Sequence, residues 1–128
     1  MLETEMTNTY PSAPSLQTRF ITCRIDDVSS AGSTWVVPGF NGRIEKITTV
    51  LHGAIGTADV DISTEIGGTA VTNGTVTIAT ASSAAGDIDT AEPTAANVFT
   101  SEQPLEVITD GASSNAVAVT VTYECVPI

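Results

Sequence analysis

From Gln17 onward, apolar and polar side chains alternate with a period of two, the spacing of a strand with one buried face. Arg19, Ile21, Cys23 and Ile25 alternate with Thr18, Thr22 and Arg24 up to the Asp26-Asp27 pair, with Phe20 on the otherwise polar face. Thr34-Trp35-Val36-Val37 is a short apolar strand stopped by Pro38-Gly39, and Trp35, flanked by valines, is expected to plug the core. Arg43 to Leu51 predicts a third strand with Ile44 and Val50 on one face and Ile47 and Leu51 on the other. The clearest alternation is Asp59 to Ile66: Val60, Ile62 and Ile66 point one way, and Asp59, Asp61, Ser63 and Glu65 the other. Gly67-Gly68 breaks it. Thr69 to Thr72 then leads into Asn73-Gly74, a strong hairpin signal because both residues tolerate positive φ, and Thr75 to Thr80 is expected to return along that hairpin.

Residues 82 to 104 are irregular, with one or two helical turns expected within Ala91 to Val98. Leu105 to Thr109 is a strand, Asp110-Gly111 opens a turn, and Ala116 to Val126 is the last strand, with Val117, Val119, Val121, Tyr123 and Cys125 sharing a face. Seven to nine short strands predict an all-β, single-domain β-sandwich of the jelly-roll kind over residues 17 to 128. Residues 1 to 16 lack periodicity and carry Pro11 and Pro14, which hold neighbouring backbone extended. They are read as an extended N-terminal arm.

Residue type supports the same class. Thr is the commonest residue, Val and Ile dominate the apolar set and Leu is scarce; branching at Cβ suits a pleated surface. With 41% hydrophobic and 15% charged residues in 128, the chain has enough apolar material for one core. Fifteen acidic residues against four basic ones give a net charge of −11. That balance argues against nucleic acid as a partner, because phosphate neutralisation needs cations. It argues equally against attachment to an anionic membrane, and no apolar run approaches the ~20 residues of a spanning helix. The first residues, Met1 to Glu5, have neither a basic nor an apolar leader region, so the mature protein is expected to begin where the gene does, in a cytoplasm.

Few residues offer chemistry. His52 is the sole histidine, no Gly-x-Ser-x-Gly accompanies it, and it reads as a solvated strand-end residue. The acidic pairs Asp26-Asp27, Asp59 with Asp61 and Asp87 with Asp89 supply too few oxygens for calcium by themselves. Cys23 and Cys125 fall on apolar faces of the first and last strands. Terminal strands of a sandwich often lie side by side, so a disulfide is open to them, while the absence of a leader favours reduced thiols. No zinc spacing, phosphate-binding glycine loop or dinucleotide motif is present. The expectation is a protein that is not an enzyme, with no cofactor and no metal.

The stretches Trp35-Val36-Val37-Pro38-Gly39, Gly42 to Ile47, Gly67 to Ala79, Pro93 to Val98 and Leu105-Glu106-Val107 with Asp110-Gly111 resemble small capsid-associated proteins of tailed bacteriophages, over about residues 33 to 123. The resemblance implies a head decoration, or cement, protein: a β-sandwich on the outer capsid surface, bound to the major capsid protein and to copies of itself, as a homotrimer around local threefold axes. It implies a location in the virion after synthesis in the bacterial cytoplasm. An acidic, lysine-poor, threonine-rich protein suits an outer surface, since packaged DNA repels it. The arm would then add contact by strand addition to a neighbouring subunit's sheet edge. Leu2, Tyr10, Pro11 and Leu16 are its expected anchors on capsid or neighbour. The alternative is a receptor- or glycan-binding β-sandwich of a head fibre or tail, which requires an exposed aromatic or an acidic metal site.

Overall fold

The structure, a computed structural model, describes residues 17–128. The predicted arm, with Leu2, Tyr10, Pro11 and Leu16, lies outside the described residues. The described chain is all-β: β1 (Arg19–Ile25), β2 (Gly32–Val36), β3 (Gly42–Leu51), β4 (Val60–Ile66), β5 (Thr69–Ala70), β6 (Val76–Ile78), β7 (Ile88–Ala91), β8 (Val98–Phe99), β9 (Leu105–Thr109) and β10 (Val119–Pro127). Two antiparallel sheets form a single-domain β-sandwich. The first runs β1-β10-β3-β7, with β8 also on the free edge of β3; the second runs β2-β9-β4-β5, with β6 also on the free edge of β4. Each sheet is thus four strands wide with its last strand broken in two. Numbering the broken edges as one segment each, the order is 1-8-3-6 in the first sheet and 2-7-4-5 in the second.

Alternation decides the core. Val60, Ile62, Thr64 and Ile66 of β4 face Val119, Val121, Tyr123 and Cys125 of β10 across the sandwich, all buried. The Tyr123 hydroxyl and the Thr64 hydroxyl share a hydrogen bond of 2.7 Å. Both are buried polar groups that would otherwise be desolvated without a partner, so this bond ties the two sheets at one relative placement. At one end of the barrel of side chains, Phe40 packs edge-on against Phe99 with centroids 5.4 Å apart, and the Arg19 guanidinium lies 5.0 Å over the Phe40 ring.

Three local expectations are corrected. In β3, Lys46 opposes Glu124 but Ile44 opposes Cys125, so Glu45 is an extra, bulged residue. A bulge resets the alternation; Ile44, Ile47, Thr49 and Leu51 are therefore all buried, and Val50 lies on the other face. The hairpin turn is Gly67-Gly68, with φ of 58° and 83°, and not Asn73-Gly74. Two consecutive left-handed residues match the strand twist, so β5 returns along β4 at once. Asn73, φ 58°, turns the chain out for a few residues before β6 rejoins the same strand. Finally, Ala91 to Val98 holds no helix. Its ends are β7 and β8, and Asn97 fills the gap between them by donating from its side chain to the Ile44 carbonyl at 2.7 Å.

The outturned loop after β5 seals one side of the sandwich. Thr72 donates to the Ala95 carbonyl, Thr94 donates to the Thr72 carbonyl, and the Asn73 amide donates to the Thr94 hydroxyl at 2.8 Å. These bonds link the broken edge of one sheet to the broken edge of the other. On the opposite side, β1 and β2 each pair with a single strand, β10 and β9 respectively.

Candidate interaction surfaces

Because the core takes one face of each sheet, the sandwich has two outer faces and their chemistry differs. The face of the first sheet carries Phe20, Thr22 and Arg24 from β1, Thr120, Thr122 and Glu124 from β10, Arg43, Glu45, Lys46, Thr48 and Val50 from β3, and Ile88 and Thr90 from β7. The register places Thr22, Thr122, Thr48 and Thr90 in one row across four strands. Three of the chain's four basic residues are here. Arg24 pairs with Asp26 at 2.9 Å and Arg43 with Glu45, while Lys46 opposes Glu124, so the face is close to neutral. These exposed pairs contribute little stability, about 0–1 kcal/mol each; their consequence is the surface potential.

The outer face of the second sheet carries Ser33 and Trp35 from β2, Glu106 and Ile108 from β9, Asp61, Ser63 and Glu65 from β4, and Thr77 from β6. It has three carboxylates and no cation. Glu106 accepts from the Ser33 hydroxyl and Asp61 from the Thr77 hydroxyl, each at 2.7 Å. In register, Trp35 opposes Glu106, which opposes Glu65. Trp35 is 60% exposed, which corrects the expectation that it plugs the core. Thr34 and Val36 hold the inward parity of β2, so the residue between them must face out. The adjoining valines that suggested a core were misleading, whereas strict alternation from Thr34 would have placed the ring outside.

The other candidate residues are held by local hydrogen bonds. His52 is exposed at the end of β3, its Nε2 2.7 Å from the Thr120 hydroxyl, as expected of a solvated strand-end residue. Asp27 accepts from the Ser29 amide and hydroxyl, which hold its carboxyl below the usual range. Asp59 caps the Thr80 amide and Asp87 the Ala84 amide. Desolvation, and then the neighbouring Asp87 charge, raise the Asp89 carboxyl. Among the described residues no three His, Cys, Asp or Glu side chains gather as metal ligands. A cleft of about 240 Å³ lies at the β1–β2 end, lined by Arg24, Asp26, Asp27, Ser30 and Thr34; its volume is below the range usual for ligand pockets.

Cys23 and Cys125 are free thiols. β1 and β10 are neighbours as expected, but Cys23 opposes Val121 while Cys125 opposes Arg19. Burial pushes the Cys23 thiol up to about 11 and, with help from Glu124 and Glu45, the Cys125 thiol up to about 12. Both stay protonated, so neither is an activated nucleophile.

Compared with known proteins, the chain matches no family model and no curated protein.

Proposed function

We propose that this chain is a structural virion protein that binds the outer surface of a phage capsid and stabilises the shell by bridging capsomers. One observation carries the reading furthest: the two outer faces divide the charge, one near-neutral and threonine-rich, the other acidic. A protein of net charge −11 associates most readily through a face where like charge is absent, and keeps its carboxylates towards solvent. The 1-8-3-6 and 2-7-4-5 strand order supports reading the sandwich as a jelly roll, an architecture shared by capsid and lectin domains. The resemblance of residues 33 to 123 to phage decoration proteins supplies the capsid as partner and a trimer on the threefold axis.

The action is mechanical. Each copy adds a small contact across a capsomer junction, and many such contacts together raise the cost of separating the shell. Residues 1 to 16 extend the contact, with Leu2, Tyr10, Pro11 and Leu16 as anchors. The test is the copy number in purified virions by quantitative mass spectrometry, followed by deletion of residues 1–15. Hundreds of copies, and a folded truncated domain with capsid binding reduced at least tenfold, are expected. A handful of copies, or full binding by the truncated chain, overturns the reading.

Exposed Trp35 favours a second reading, a glycan-binding sandwich of a fibre or tail. An aromatic ring beside Ser33, Glu106 and Glu65 is a platform for an apolar sugar face with polar groups at its rim. Saccharide titration watched by tryptophan emission separates the two readings, since a cement protein has no reason to respond.

A further inference from the structure

We propose that the outer edge of β2 is a self-association site, where β2 of a second copy adds in antiparallel register to make one continuous sheet across a twofold axis. Three of the four sheet edges carry the devices by which soluble proteins discourage strand addition. The β7–β8 edge and the β5–β6 edge are each broken into short pieces and laced together through Thr72, Asn73, Thr94 and Ala95. The β1 edge carries Arg19 and Arg24. The β2 strand itself is neither broken nor charged, although Arg24, Asp26 and Asp27 line the cleft beside its Gly32, Ser33 and Thr34. Gly32–Val36 is unbroken, free of charge and proline, and no described residue pairs with its outer side. The surrounding run from Val28 to Gly42 is also uncharged. Two exposed apolar side chains, Trp35 and Val37, stand at this edge.

Charge selects the partner. In a chain of net charge −11, most surfaces repel a second copy, and because like charges directly opposite weaken a strand pair, a copy adds with least repulsion where both strands lack charge. Among the described strands β2 is the one that is both uncharged and unpaired on an unbroken side, so it is complementary to itself. A twofold antiparallel pair satisfies donors and acceptors on both strands and brings the two Trp35–Val37 patches together, with Glu106 of β9 on the far side of Trp35 from the new partner. Residues 1 to 16 are the competing occupant of this edge. Pro11 and Pro14 remove two donors from them, which suits a ladder poorly. A ladder of five or six residues buries less than a standard interface, so the pair is weak and reversible. The inference stands apart from the virion reading.

Trp35 is the only tryptophan and reports directly on this edge. The experiment is sedimentation velocity of the full chain from about 1 µM to 1 mM, in parallel with tryptophan emission and acrylamide quenching. The expected result is a reversible shift from monomer to dimer, with a blue shift and at least twofold lower quenching at the same midpoint. Val37→Lys keeps the probe and places charge at the edge; Trp35→Lys is read by sedimentation alone. Both should weaken pairing at least tenfold, with thermal midpoints close to the parent's showing that they fold. A monomer throughout, a dimer with Trp35 equally quenched, or pairing unchanged in both variants overturns the proposal. So does loss of pairing on deletion of residues 1–15, which would assign the edge to the arm.

Discussion

At the scale of single residues, the informative groups are the few polar ones inside the core. Tyr123 spans from one sheet to Thr64 on the other, and burial raises its hydroxyl well above the ordinary tyrosine value, so it acts as a neutral hydrogen-bonding group. Tyr123→Phe leaves the Thr64 hydroxyl buried without that partner and should cost about 1–2 kcal/mol in urea denaturation. An unchanged midpoint would show that Thr64 finds another acceptor. The two thiols make a pH prediction. Their folded values, about 11 and about 12, lie above the ordinary 9.0, so the folded state holds protons that the unfolded chain releases. Stability from these groups is fully present below pH 9 and falls as pH rises from there towards 12. Urea midpoints taken across that range should decline, and less steeply in Cys125→Ala. Thiol reagent should label buried Cys125 only in denaturant, and half-buried Cys23 more slowly in native buffer than in denaturant.

At the scale of elements, turns and bulges carry the decisive information. Gly111 has φ 72°, and a Cβ there would overlap the backbone of Ser30 and Ala31. It therefore joins the β9–β10 connection to the β1–β2 loop by close backbone approach. Gly111→Ala should destabilise by about 2–4 kcal/mol, combining left-handed strain with steric overlap; a loss below ~0.5 kcal/mol would mean that the loops separate freely. Gly67→Ala, at an exposed turn of φ 58°, should cost only about 1 kcal/mol. Alternation made β4, β9 and β10 legible from residue order alone, because each has an uninterrupted inward set. It failed in β3, since Glu45 is spatially a bulge but reads in sequence as one more strand position. Asn73-Gly74 was legible as a turn but not as a hairpin. The pairing was already taken by Gly67-Gly68, and a local signal cannot report which of two nearby turns joins the ladder.

At the scale of the molecule, electrostatics dominates. With net charge −11 and Asp61, Glu65 and Glu106 on one uncompensated face, self-repulsion opposes the compact state. Raising salt from ~0.01 M to ~0.15 M shortens the screening length from about 30 Å to about 8 Å. The thermal midpoint should rise accordingly, and Glu65→Gln should reduce the size of that rise. A salt-independent midpoint would show that the carboxylates are already well solvated and far enough apart.

Periodicity, β-branching and charge count by themselves determined the fold class, most of the core of the described residues and the acidic character of the surface. Each follows from neighbours a few residues apart or from totals over the chain. Only the tertiary structure decided that Trp35 faces water, that Cys23 and Cys125 sit out of register on adjacent strands, and that the basic residues collect on one sheet. The same is true of the two sides of the sandwich, one laced shut and one open at β2. These properties depend on which strands lie next to each other and in what register. Residues such as Trp35, Glu106 and Glu65 are far apart in the chain, and no local pattern records that they share a row.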